Sequence, residues 1–187
     1  RRALGAEEAN RRLLRAAGVS TMLIDTGHRA EEIADPETMA RLSGVACREV
    51  VRIEAVMEAA ARGAADGAGL LDAFDALLAE RMRDAVGLKS IVAYRATFAF
   101  DQTDPPEAEA REAAEAWLAV IAREGWRRLE SPVLLRRALF RAIEACAPRR
   151  LPLQLHVGFG DRDIAMARCD PTLFAPFIEA AEARDVP

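Results

Sequence analysis

Lysine is almost missing from this chain: of its 26 basic residues one, Lys89, is a lysine and the others are arginines. Histidine is nearly as scarce, with only His28 and His156. A catalytic zinc commonly takes three protein ligands and keeps one open position, so two histidines alone do not complete such a site. The three cysteines, Cys47, Cys146 and Cys169, are odd in number and far apart. They exclude a disulfide framework and a metal finger, and read as buried thiols in a reducing compartment. No apolar run approaches the roughly 20 residues of a membrane span. Arg1 to Asn10 also lack the basic-then-apolar order of a signal peptide, so the expected location is cytoplasmic, with no membrane partner. The net charge of -4 is spread over segments of mixed sign, which argues against nucleic acid as a partner. There is no serine nucleophile elbow, and Gly158-Phe159-Gly160 lacks the spacing of a dinucleotide or P-loop motif.

What is present suffices for one substantial core: 187 residues, 51% of them hydrophobic. A single domain over residues 1–187 is expected. The opening on Arg1 and the close on Asp185-Val186-Pro187, which reads like the lead-in to another strand, predict an internal fragment, incomplete at both ends. Amphipathic periodicity predicts a helix over Glu7 to Ala17, ended by Gly18. A strand over Val19 to Thr26 follows, then a helix over Pro36 to Leu42 after an Asp-Pro start. Arg48 to Glu54 alternates apolar and charged residues and is read as a strand, although Val50, Val51, Ile53, Val56 and Met57 also fit a helical stripe. Gly67 and Gly69 interrupt the pattern before a helix over Leu70 to Val86 and a strand over Leu88 to Tyr94. Asp101 to Pro106 is a loop. Two helices, Glu107 to Arg123 and Pro132 to Ala147, precede the strand Leu151 to His156, and Pro171 to Ala183 is a last helix. This alternation is the signature of α/β architecture with parallel strands, as a barrel or a doubly wound sheet.

In parallel α/β proteins, ligands gather where strands run into loops. Four strand ends here carry polar groups: Asp25 with His28, Arg52 with Glu54, Lys89 with Tyr94 and Arg95, and His156 with Asp161. If Leu151, Leu153 and Leu155 face helices, alternation places Gln154 and His156 on the opposite face. A lone lysine inside an apolar strand is a candidate nucleophile or carbamate, a chemistry closed to arginine. The plainer reading is a snorkelling lysine or an ion-paired one, with Glu54 as a candidate partner. For His156 the alternatives are a metal ligand and an imidazole bonded to a carbonyl; for His28, the weaker candidate, a solvated loop residue and a ligand.

The stretches LPLQLHVGFGDRDIAMARCDPTLFAPFIEA, GLKSIVAYR and GVSTMLIDTGH together resemble the amidohydrolase-related branch of the amidohydrolase superfamily. The likeness is to bacterial metal-dependent hydrolases related to nodulin and glutamine-synthetase-fused amidohydrolase domains. It implies a partial (β/α)8 TIM barrel, strands two to five with their helices plus an extra helix. It also implies a divalent metal, usually zinc, that activates water against an amide or related C–N bond of a small anionic substrate. His156 matches a metal ligand, and Lys89 falls on the strand where relatives place a carbamylated lysine. Lys89 and Asp161 are thus candidate catalytic residues, and Arg52, Glu54, Tyr94 and Arg95 candidate substrate contacts. The family's His-x-His pair, the histidine of its sixth strand and the aspartate of its eighth are absent from this chain. The intact protein is therefore expected to be an enzyme and this chain alone inactive, with an uncovered apolar face that favours homo-oligomers. The alternatives are a decarboxylase on the same scaffold and a non-catalytic binding or assembly module.

Overall fold

The computed structural model describes residues 5–29, 31–158 and 164–187. Helix α1 (Ala6–Ala16) opens the chain, and Gly18, at φ +67°, turns it into strand β1 (Thr21–Asp25). Asp35 accepts a hydrogen bond from Thr38 N at 2.7 Å and starts α2 (Pro36–Ser43), which leads to β2 (Ala46–Arg52). Helices α3 (Ile53–Ala61) and α4 (Gly67–Arg81) follow directly. After β3 (Gly87–Ser90) come α5 (Glu107–Glu124) and α6 (Pro132–Cys146), then β4 (Leu153–Leu155) and α7 (Ala175–Glu182).

The four strands form one parallel sheet in the order β1-β2-β3-β4. Paired residues of parallel strands share a face, so the register sorts the side chains. Val51 pairs with Leu88, Leu88 with Leu153, and Ser90 with Leu155; this face lies under α3 and α6, and α4 and α5 pack outside it. Val51, Leu88, Ile53, Met57, Phe74, Leu135 and Leu139 are at most 1% exposed there. Burying side chains of this kind contributes about 1.5–3 kcal/mol each. The opposite face carries Leu23, Arg48, Arg52, Lys89 and Gln154, and the described residues leave it largely open, with Leu23 63% exposed. Apart from Leu23 and the buried Val50 it is mainly polar, so the expected large apolar face is not what the sheet presents.

The expected partial (β/α)8 barrel is not what these residues form. The α/β alternation and parallel pairing are present, but among the described residues β1 pairs only with β2 and β4 only with β3, leaving a sheet of four strands with two edges. Closure into a barrel needs strands enough to bring the edges together through tilt and stagger. Alternation of elements along a sequence carries no information on that point.

Two boundaries also differ for local reasons. The strand expected over Arg48 to Glu54 stops at Arg52, and Ile53 opens α3, because Ile53, Val56, Met57 and Ala60 make a helical stripe that is wholly buried. The strand expected over Leu88 to Tyr94 stops at Ser90. There Ile91 N donates to Glu54 at 3.0 Å and Val92 N to Ser90 Oγ at 3.1 Å, so side chains take the N–H groups a ladder would use. A short 3-10 turn, Val92–Tyr94, results.

Cys47, Cys146 and Cys169 are all buried free thiols. Burial pushes the Cys146 thiol up to about 11. Among the described residues no helix is long and apolar enough to cross a membrane.

Candidate functional site

Three of the polar strand ends meet on the open face. Asp25 closes β1, Arg52 closes β2, and Lys89 is paired in register with Arg52. Asp25 Oδ2 accepts Arg52 Nη2 at 2.5 Å and Nε at 3.1 Å, and lies 3.0 Å from Lys89 Nζ. Asp25 Oδ1 accepts from Gly27 N at 2.9 Å. The three side chains are only 11–15% exposed, so their Coulomb attraction is screened far less than that of a surface pair. Burial alone would raise the Asp25 carboxyl. The hydrogen bonds from Arg52, Gly27 N–H and Lys89 more than offset this and hold it below its ordinary value. The partner of Lys89 is therefore Asp25 and not Glu54.

Glu54 lies in the first turn of α3, under the helices and fully buried. Its Oε1 accepts from Ser90 Oγ at 2.6 Å and from Ile91 N, while Oε2 has no partner among the described residues. Burial is the main cause that raises its carboxyl above the usual range, against the hydrogen bonds that lower it. One turn on, Glu58 Oε1 accepts from Arg95 Nη1 and from Leu129 N, each at 2.9 Å, which fixes Arg95 beside α3.

His156 follows β4 and is exposed; its N–H donates to Ser90 O at 2.9 Å, and its ring meets Tyr94 edge-on with centroids 5.1 Å apart. Tyr94 OH donates to Gly158 O at 3.2 Å. His28 is exposed on the loop after β1. Asp161 lies outside the described residues. The structure thus joins Asp25, Arg52 and Lys89, sets His156 against Tyr94, and puts Glu54 and Arg95 beneath the strand ends with the helices.

A second ionic group was not read from the sequence. Glu49, on the helix-facing side of β2, accepts from Thr26 Oγ1 and from Arg81 Nη2, and Arg81 Nη2 also reaches Thr26 Oγ1 at 3.0 Å. The alternation in REVVRIE signals that Glu49 and Arg52 point to opposite faces. Nothing local signals Arg81, which arrives from the end of α4.

The donor set does not fit a complete metal site. Among the described residues no three His, Cys, Asp or Glu side chains converge. Asp25 is committed to two cations, and the two imidazoles of the chain, His28 after β1 and His156 after β4, are both exposed.

Fold and site together define an α/β protein with a parallel sheet whose strand ends carry a partly buried carboxylate clamped between two cations. No protein-family model matches the chain, and no curated protein matches it. Among solved structures the chain is similar to a "putative metal-dependent hydrolase" from Lactobacillus casei ATCC 334, with a TM-score of 0.83 and 28% sequence identity. The match covers 94% of this chain and 46% of that one, so the chain spans about half the length of the protein it resembles.

Proposed function

We propose that the protein works as a metal-dependent hydrolase of the amidohydrolase type, cleaving an amide or related C–N bond of a small anionic substrate. The observation that carries this reading is the Asp25, Arg52 and Lys89 cluster on the open face, at the strand ends where parallel α/β proteins bind ligands. The similarity to the Lactobacillus casei protein supports it. Zinc is the metal this reading expects, and His156 is the described side chain suited to it.

What the chain's own residues do is electrostatic. Lys89 and Arg52 present two cations at fixed positions on the open face, and Asp25 holds both in place, so that charge developing on a substrate carbonyl meets a preorganised field. Tyr94, steadied by Gly158 O, orients the anionic part of the substrate, and Asp161 is proposed as a proton-transfer group. Glu54 supports the floor through Ser90. The same surface serves a non-catalytic binding module, a reading favoured by the lack of a converging donor set among the described residues.

Amine or ammonia release from a panel of N-acyl amino acids, with zinc added, tests the proposal. Release by the wild type that falls about 100-fold in Lys89→Met, together with zinc content lost in His156→Ala, is the expected outcome. Carbon dioxide release without amine would point to a decarboxylase instead. Undiminished rates in both variants would remove the site.

A further inference from the structure

Beside the cluster, on the α3 side, lies a cleft of about 310 Å³ lined by Arg29, Arg52, Arg62 and Arg81, with Thr26 and Gly27 above and Glu31 and Glu58 at its wall. We propose that this cleft binds a small polyanion of the phosphate-ester or diphosphate class. The four guanidinium groups arrive from different places: the loop after β1, the end of β2, the end of α3 and the end of α4. Three are held from behind by carboxylates, each leaving guanidinium N–H groups over. Arg52 uses Nε and Nη2 on Asp25, Arg81 uses Nη2 on Glu49, and Arg29 uses Nε and Nη2 on Glu32.

The fourth, Arg62, stacks on Trp126 at 4.2 Å and has no carboxylate within ion-pair distance among the described residues. Arg52, 11% exposed and forked onto Asp25, has little conformational freedom left to lose on binding. Arg29 sits at φ +50°, a backbone conformation uncommon for a residue with a long side chain. Gly27 keeps the roof thin, since a Cβ there would lie 2.4 Å from Arg52 Cβ. The volume exceeds that of one phosphate group and falls at the small end of ligand pockets. Glu58 is spent on Arg95 and Leu129 N. Glu31 is the lining carboxylate that no cation reaches among the described residues, and it opposes the ligand.

That arrangement gives a test with two opposite signs. Inorganic pyrophosphate is titrated calorimetrically into the whole chain at constant ionic strength, for wild type, Arg62→Gln, Glu31→Gln and a distant control, Arg123→Gln. The wild type is expected to saturate near one equivalent. Arg62→Gln should weaken binding about tenfold or more, Glu31→Gln should tighten it, and the control should stay within about twofold. Both lining residues are exposed, so neither change endangers folding. No saturable binding by wild type at millimolar pyrophosphate would overturn the proposal, as would wild-type affinity in both lining variants. The readout is binding without turnover, so its failure leaves the hydrolase reading standing, and failure of that reading leaves this site untouched.

Discussion

Replacing Asp25 by asparagine removes one negative charge and leaves the cluster's shape almost unchanged. Asn Oδ1 can still accept from Gly27 N–H, but Arg52 and Lys89, 11% and 13% exposed, then face each other with no anion between them. Breaking a buried ion pair by deleting one partner costs about 3–5 kcal/mol. Residual solvent at this site places the expected loss at the low end, about 3 kcal/mol. In a chain of this length 1 kcal/mol moves the midpoint by about 2–4 °C, so thermal unfolding followed by circular dichroism should show a fall of about 6–12 °C. Asp25→Asn combined with Lys89→Met should fall less than the single change, since it removes the stranded ammonium. The pH dependence has a fixed sign. The Asp25 carboxyl is lowered in the folded state, so its stabilisation is present above the ordinary value of 3.8 and disappears as pH falls through the folded value. Wild type should therefore lose more stability on acidification than Asp25→Asn. A midpoint change under about 2 °C, with no coupling to Lys89, would refute the claim that these charges act as a unit.

Glu54 has the opposite sign. Its folded-state carboxyl is raised by burial, so the stability it confers is full below 4.5 and declines as pH climbs through the folded value. Urea midpoints across pH should show this decline in wild type and not in Glu54→Gln; parallel profiles would count against it. Gly67 opens α4 against α5: a Cβ there would lie 2.5 Å from Arg111 O, so Gly67→Ala should lose about 1–3 kcal/mol. An unchanged or raised melting midpoint would mean that α5 yields without cost.

The element types were legible because their signals are local. Asp35-Pro36 marks the start of α2, Gly18 the end of α1, and the β-branched, apolar run from Val19 to Thr26 reads as a strand, which the structure trims to Thr21–Asp25. Asp25, Lys89 and His156 also stand out as polar groups at strand ends. Their partners were not legible, because register across a sheet is a property of two strands at once: the Asp25–Lys89 contact follows from β1 and β3 flanking β2. Glu54 reads as a strand-end residue beside Arg52 because REVVRIE satisfies two periods, and burial of the Ile53 stripe decides between them in favour of α3. Whether four strands stand open or close on themselves depends on which edges find partners, and the expected barrel had no support on that point. Arg62 and Trp126, 64 positions apart, carried no mark of their meeting.

The three buried thiols have a further use. Cys47 sits on β2, Cys146 on α6 and Cys169 beside the turn after β3, where its Sγ donates to Ala93 O at 3.3 Å. Each reacts with a soluble alkylating reagent only when its own segment opens, so the three labelling rates report three separate opening free energies. Together they form a natural clock set for local unfolding. It can tell whether the sheet edge yields before the helical layer, without adding a single reporter to the chain.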